Sequence, residues 1–329
     1  MDYTFTCRMQ NHYYNKFVNW GVKGIITELV VGRMKKGELM TGLRRCLWVV
    51  VLCLSAEYLP AQQPATHGLL WKVSGNGLSQ PSYLFATASA ICPEQLNLPY
   101  AALRTLEQTD QLVLTLDITN PLLSQQVLEE MKLPEGQNIS QWFTRTEYEQ
   151  VALFYKDSLG INLQELGRFQ PLYVSSYMYG WVLQCQAVSV EQELARQAFM
   201  QEKRIYGLET VAQQGAMFRA IPYRQQAKLL IKALEDPYEL KHYYADMVVS
   251  YKNEDLPSLY TIGKELSLGM SQYEEVLLSQ RNQRWLPKLV DYFGKSPTFV
   301  AINATHLSGE NGLISLLKQQ GYQLEAVQF

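Results

Sequence analysis

Alternating and continuous apolar runs beginning near residue 70 predict strands. Residues 69–73 (LLWKV) alternate between apolar and polar positions, turn residues occupy 74–81, and residues 83–88 (YLFATA) form an apolar run. Apolar residues then recur at helical spacing over 99–109, and residues 111–117 (QLVLTLD) have the pattern of a buried strand. The pattern therefore predicts a β-hairpin, a helix and a strand, in that order.

The middle of the chain has mainly helical patterns. Long amphipathic helices are predicted over 222–235, 237–251 and 271–293, and Asp236 before Pro237 marks a helix start. Three Ser/Thr to Glu/Gln spacings fit a capping box: Thr144…Glu147, Ser189…Gln192 and Ser271…Glu274. Between residues 189 and 293, only 205–208 has a strand-like pattern.

The last segment returns to strand patterns. A strand is predicted over 298–302, followed by a glycine-containing loop, a helix over 313–320 and a strand over 322–327. No internal repeat and no Pro/Ser-rich linker divides residues 62–329. The predicted fold is therefore one α/β domain. Its central mixed sheet comes from the N- and C-terminal segments, is covered by helices and encloses a large helical insertion.

Composition and charge exclude several classes of protein. With 47% hydrophobic residues the chain is too apolar for a disordered protein. The 29 Lys and Arg against 31 Asp and Glu give a formal net charge of −2, which does not support a nucleic-acid partner. No stretch reaches the roughly 20 apolar residues that a membrane-spanning helix needs, so no transmembrane span is predicted.

Residues 40–61 have the layout of a secretory signal peptide. Arg44 and Arg45 precede an apolar run over 46–56, and Ala61 ends a Leu-Pro-Ala sequence. A buried core helix is the alternative. Since a signal peptide begins a chain, we interpret residues 1–39 as a non-native extension and place the translation start at Met40 or Met34. The mature domain would then span 62–329 and be exported, to the periplasm or outside the cell.

Export changes how the cysteines are interpreted. Cys7, Cys46 and Cys53 lie in or before the predicted leader, which leaves Cys92 and Cys185 in the mature chain. Two cysteines in an oxidising compartment predict a disulfide first, and two separate buried thiols second.

Six ordered motifs resemble the TraB/GumN family, which includes the Tiki-type proteins. They cover nearly the whole mature chain and lie at 69–89, 91–99, 111–117, 189–214, 281–289 and 297–327. The third of these is QLVLTLD, and the fourth contains a Gly-Leu-Glu-Thr turn. The resemblance implies an α/β sheet enclosed by helices and a metal-dependent peptidase or hydrolase, with a divalent metal as the possible cofactor.

The sequence departs from the family pattern at three positions that matter for chemistry. Ser89 stands where the family's Gly-Thr-x-His has its histidine, and Thr115 stands where the second strand often has a glutamate. Asn303 replaces the first glycine of Gly-x-Gly-His-Leu, although His306 is kept. Glu209, Arg281 and Asn282 match the family. These departures predict a degenerate metal site.

A catalytic metal needs about three protein ligands and an open position for water. His306, at the carboxyl end of a strand, and Asp117 are the candidate metal ligands; a histidine hydrogen-bonded inside its loop is the alternative for His306. Glu209 is a candidate ligand or general base, or an acid placed at a helix N-terminus. The resemblance implies that Arg281 lies at the site, where it would bind an anion or stabilise a transition state; the alternative is a position on a solvated helix face.

A serine hydrolase using Ser89, His306 and Asp117 is disfavoured, because Ser89 is not in a Gly-x-Ser-x-Gly sequence. Three hypotheses follow. The first is an exported protein that binds a peptide or small ligand at a degenerate site. The second is an active metal-dependent hydrolase using His306 and Glu209. The third is a cell-envelope interaction protein whose Tyr-rich insertion is the contact surface. Convergence of His306 and Glu209 beside an open cleft would favour the second.

Overall fold

The computed structural model describes residues 67–88, 90–266 and 270–328. The predicted leader, the predicted extension and Ser89 lie outside these residues. One sheet of six strands runs through the described part in the order β4-β3-β5-β2-β1-β6. The strands are β1 Leu70–Gly75, β2 Ser82–Thr87, β3 Gln111–Leu114, β4 Arg204–Gly207, β5 Thr298–Asn303 and β6 Tyr322–Val327.

The sheet is mixed, with a parallel centre. Strands β2 and β3 both pair parallel with β5, and β3 pairs parallel with β4. Strand β1 pairs antiparallel with β2 through a hairpin and antiparallel with β6 on its other side. Strands β2, β3 and β5 therefore end at the same edge of the sheet, where ligand sites of α/β proteins form.

Helices cover the sheet and fill the segment between β3 and β5. They are α1 Tyr100–Glu107, α2 Leu123–Glu130, α3 Arg145–Leu159, α4 Pro171–Ser175, α5 Met178–Leu183, α6 Val190–Met200, α7 Val211–Arg219, α8 Tyr223–Glu235, α9 Pro237–Lys252, α10 Leu256–Leu266, α11 Gln280–Lys295 and α12 Leu313–Gln319. The predicted α/β class, the mixed sheet built from both ends of the chain and the helical insertion are confirmed. No helix within the described residues is long and apolar enough to cross a bilayer.

The hydrophobic interior has two parts. One packs around the sheet and includes Phe85, Phe299 and Trp285, all fully buried. The other lies within the insertion and includes Tyr155, Val174 and Leu230. A disulfide between Cys92 and Cys185, whose Cα atoms are 5.8 Å apart, ties the loop after β2 to the insertion. The predicted pairing is confirmed.

The capping predictions have different outcomes. Thr144 and Glu147 form the predicted capping box at the start of α3, and the Asp236 carboxylate accepts from the Tyr238 and Glu239 amides at the start of α9. The box at Ser189 is wrong, because this side chain does not cap α6 and donates to the Glu191 carboxylate instead. The Ser271 side chain lies outside the description.

The helix predicted over 271–293 is not continuous. A 3-10 turn spans Met270–Tyr273, a π-helical turn spans Glu275–Ser279, and the α-helix begins only at Gln280. Turns of the π type are rare and are frequently found at functional sites. Here the turn places the Leu277 carbonyl 3.2 Å from Nη1 of Arg281, one helical turn later.

Candidate functional site

A cavity of about 710 Å³ lies at the carboxyl edge of the parallel strands. Strand β2 contributes Thr87 to its wall, the segment after β3 contributes Thr115, and the end of β5 with the turn that follows contributes 303–306. Apolar side chains of the insertion form the opposite wall: Met178, Met217, Phe218, Leu240, Tyr244 and Met247. We call this space the sheet-edge cavity. Its volume is that of a pocket for a small ligand.

In the Gly-Leu-Glu-Thr turn at the end of β4, each residue type has a structural role. A Cβ at Gly207 would lie 2.6 Å from the Asp117 backbone nitrogen, so only glycine fits. Leu208 is fully buried, and the Glu209 amide donates to the Thr115 carbonyl at 3.0 Å. Thr210 forms a capping box with Gln213 at the start of α7, which the sequence analysis missed. The turn thereby fixes Glu209 beside the cavity.

Glu209 is held by a buried ion pair. Arg281 donates from Nη2 to Oε1 at 2.7 Å and from Nε to Oε2 at 3.2 Å. Trp285 Nε1 donates to Oε2 at 3.3 Å and Gln214 Nε2 to Oε1 at 3.3 Å. Only 4% of the Glu209 side chain and 10% of the Arg281 side chain are accessible. This bidentate geometry is the strong form of the Arg–carboxylate interaction.

His306 is fixed by hydrogen bonds at both ring nitrogens. Nδ2 of Asn282 donates to the carbonyls of His306 and Asn311, at 3.1 and 2.8 Å. The Asn282 Oδ1 therefore faces His306 Nδ1, 2.8 Å away, and Nδ1 carries the proton. His306 Nε2 is then an acceptor, and it lies 3.2 Å from Nη1 of Arg281. We call Glu209, Arg281, Asn282 and His306 the Arg281 network.

The surroundings keep His306 neutral. Burial lowers the pKa of His306 well below its ordinary value, and the Arg281 cation lowers this pKa further. The ring also packs on Trp285, with the two ring centroids 4.5 Å apart. The imidazole is thus a neutral acceptor aimed at a guanidinium.

The residues of the Arg281 network do not fit a divalent metal. A zinc ligand would offer Nε2 at about 2.0–2.1 Å, but here Nε2 accepts from a cation, which would repel a metal ion. The Glu209 oxygens accept from Arg281, Trp285 and Gln214. Across 67–88, 90–266 and 270–328, no group of three or more His, Cys, Asp and Glu side chains could hold a metal ion.

The other predicted positions are placed as follows. Asp117 does not line the cavity, and its Oδ1 accepts from the amide and hydroxyl of Thr119. Thr115 lines the cavity wall. Asn303 also lines it and caps the turn that leads to His306, with its Oδ1 3.0 Å from the Thr305 amide. The structure thus brings Glu209, Arg281 and His306 together and places Asp117 in a separate loop.

A carboxylate of the cavity wall was missed by the sequence analysis. Glu191 lines the cavity, where Thr87 Oγ1 donates to its Oε1 at 2.5 Å and Ser189 Oγ to its Oε2 at 2.6 Å. Burial raises the pKa of Glu191, although both hydroxyl donors lower it. In sequence, this residue resembles any acid in the first turn of a helix. Only its proximity to the end of β2 distinguishes it.

The envelope-contact hypothesis concerns the surface of the insertion. Large apolar side chains exposed there include Leu153, Tyr179 and Tyr238. They lie on different helices, α3, α5 and α9. The hypothesis stays a prediction.

The fold and the site together define the class of protein: an α/β protein with a cavity between the carboxyl edge of its sheet and a helical insertion. The model of the TraB/PrgY/gumN family matches residues 69–326, and the chain belongs to that family. Neither the curated proteins nor the solved structures gave a significant match.

Proposed function

We propose that this chain is an exported member of the TraB/PrgY/gumN family that binds a peptide or small ligand in the sheet-edge cavity without hydrolysing it at a metal centre. The observation that carries the proposal is the position of Arg281. Its guanidinium contacts both His306 Nε2 and the Glu209 carboxylate, so the two best candidate ligands converge on a cation that the protein itself supplies.

Binding is supported by the form of the cavity. Its volume of about 710 Å³ is in the range of small-ligand sites. Most of the insertion wall is apolar, while the polar groups gather at the sheet edge. An apolar wall with a few fixed polar groups is the usual construction of a site that binds and orients a ligand.

Export is supported by the disulfide. Cys92 and Cys185 are bonded, and disulfides persist mainly in oxidising compartments such as the periplasm and the extracellular space. Together with the leader pattern at 40–61, this favours a mature protein outside the cytoplasm.

The metal part of the proposal is tested by elemental analysis. The purified protein is dialysed against trace Zn²⁺ and Mn²⁺, with His306→Ala in parallel. We expect far less than stoichiometric metal in both proteins, because Arg281 occupies the space between the candidate ligands. Near-stoichiometric metal that is lost in His306→Ala would overturn the proposal and favour the hydrolase, with a peptide-substrate screen as the next step.

The binding part is tested with a neutral apolar probe, N-phenyl-1-naphthylamine, whose fluorescence rises in apolar sites. We expect saturable binding by the parent. Ala233→Phe and Thr115→Phe fill the cavity from opposite walls, so both should weaken binding at least about tenfold. Ala212→Phe, on an exposed position of α7, is the matched control. Equal binding by all four proteins would show that the probe lies elsewhere.

A further inference from the structure

We propose that the sheet-edge cavity selects a ligand with a positively charged nitrogen on an apolar body, and that Glu191 binds the charged nitrogen. This inference rests on the proposed binding function and adds the chemical class of the ligand.

The charges of the cavity wall are unbalanced in favour of a cation. Arg281 is neutralised by Glu209, and His306 is neutral. The remaining acidic or basic side chain among those lining the cavity is Glu191. Burial raises the pKa of Glu191, and a bound cation would favour the ionised form of this carboxyl. No Lys, Arg or His within the described residues forms an ion pair with it.

A carboxylate in this position gains from a ligand cation. Removing a charge from water is costly, and hydroxyl donors compensate only part of that cost. The two oxygens of a carboxylate can accept about four hydrogen bonds, and the Thr87 and Ser189 hydroxyls use two of these positions. An ammonium or guanidinium can donate to those that remain, and its attraction to the carboxylate is stronger in the cavity than in water.

The site around Glu191 is built by contacts that hold it against the sheet. The Val190 amide reaches the Ala88 carbonyl at 3.4 Å, and Val188 exchanges backbone hydrogen bonds with Ile91. The Ser189 hydroxyl, which could have capped α6, donates to Glu191 instead. The first turn of α6 therefore fixes the carboxylate at the cavity wall.

The rest of the ligand should be apolar. The wall contributed by the insertion includes three methionines, Met178, Met217 and Met247, beside Phe218 and Tyr244. Methionine side chains adapt to apolar groups of different shapes, and aromatic faces also attract cations. Two sources share this chemistry: the free amino terminus of an apolar peptide, and a lipophilic amine.

Displacement of N-phenyl-1-naphthylamine at pH 7.5 tests the proposal with two matched pairs of probes. Octylamine is compared with octanol, and Leu-Leu-Leu-amide with its N-acetyl form. We expect at least one charged member to bind about tenfold more tightly than its neutral partner. The pair with the larger preference identifies the source as a peptide or as an amine.

Variants separate the charge from the shape of the site. Glu191→Gln should reduce the preference for the charged probe to less than about twofold. Glu191→Asp keeps the charge, so it should retain more of this preference than Glu191→Gln does. Glu193→Gln, on the same helix but paired with Arg196 outside the cavity, should leave the preference unchanged. Circular dichroism and thermal unfolding check that each variant is folded.

The outcomes are distinct. Equal binding of charged and neutral probes by the parent overturns this inference and leaves the binding function standing. A preference for the charged probe that Glu191→Gln retains in full also overturns it, because the charge at 191 would then not be its cause. No displacement by any probe, together with no binding of the fluorescent probe, overturns the binding function as well.

Discussion

A single guanidinium, that of Arg281, joins the segments that follow two strands of the sheet. It donates to Glu209, which follows β4, and to His306, which follows β5. An ammonium could not do this, because it lacks the planar fork that meets both carboxylate oxygens. The Cζ atom also lies 4.7 Å from the centre of the Trp285 ring, which adds a cation–π contact.

Removing the Arg281 cation should be costly. Arg281→Gln leaves the buried Glu209 carboxylate without its partner, so we expect the free energy of unfolding to fall by about 3–5 kcal/mol. Arg284→Gln, on the same helix and exposed, is the matched control and should change it by less than about 0.5 kcal/mol. Urea unfolding at pH 7 measures both.

A second substitution tests the reason for this cost. Adding Glu209→Gln to Arg281→Gln removes the uncompensated charge, so the double variant should be more stable than Arg281→Gln alone. If the double variant is the less stable of the two, Glu209 is not the group left unpaired. The cost would then come from lost packing against Trp285.

Sequence predicted the members of this site better than their interactions. The resemblance brought forward Glu209, Arg281 and His306, and the structure places all three together. The resemblance did not predict that Arg281 donates to both the Glu209 carboxylate and His306 Nε2. These contacts depend on the side-chain rotamers and on the π-helical turn before α11. Glu191 was missed because its partner Thr87 is 104 residues away in the chain.

At the scale of elements, the same local pattern has two outcomes. Thr144 Oγ1 accepts from the Glu147 amide and the Glu147 carboxylate accepts from the Thr144 amide, which completes their capping box. Ser189 has the pattern, but its hydroxyl donates to the Glu191 carboxylate in a charge-assisted hydrogen bond, and its oxygen accepts no capping bond from the amides of α6. Local propensity therefore predicts helix starts well except beside the site, where tertiary contacts decide.

Glu147 links the start of α3 to α8 through an ion pair with Arg224. Arg224 donates to both of its oxygens, at 2.6 and 2.8 Å. Chiefly through this contact, and also through the Thr144 amide, the pKa of Glu147 falls to about 2. A lowered acid pKa adds stability that is present above the unfolded pKa near 4.5 and is lost as the pH falls towards 2.

Glu147→Gln should retain the capping box, which accepts glutamine, but lose the ion pair. Because the pair is partly exposed, with 37% of Arg224 and 23% of Glu147 accessible, we expect a loss of only about 0.5–1 kcal/mol at pH 7. The loss should shrink between pH 4.5 and pH 2. Urea unfolding at pH 7, 4 and 3 measures it, with Glu149→Gln on the exposed face of the same helix as control. A loss that is constant with pH would exclude the ion pair as its cause.

At the scale of the whole molecule, the architecture follows from the order of patterns along the chain. Strand patterns at both ends of the domain predict a sheet, and the helical patterns between them predict an insertion that the sheet-forming segments enclose. The sheet-edge cavity could not be predicted in this way. It forms where two hydrophobic interiors meet, and the sequence pattern does not show how closely two such interiors pack against each other. Its wall takes Leu114 and Ala304 from one interior and Leu240 and Tyr244 from the other.

The disulfide joins these two interiors. Cys92 follows the strand that ends at Thr87, and Cys185 follows α5 in the insertion, 93 residues further along the chain. Closing a loop of this length stabilises a fold by at most about 4–5 kcal/mol through the unfolded state. The bond also lies next to the bridge between Ile91 and Val188, which leads directly to Ser189 and Glu191.

Reducing the disulfide should therefore lower both stability and ligand affinity. With dithiothreitol we expect the Tm to fall by about 5–15 °C, from a loss of about 2–4 kcal/mol. Affinity for N-phenyl-1-naphthylamine should fall as well, because the segment that carries Glu191 is less firmly held against the sheet. The Cys92→Ser/Cys185→Ser variant should match the reduced parent and should not respond to dithiothreitol. A lower Tm with unchanged affinity would show that the disulfide stabilises the fold but does not hold the cavity wall in place.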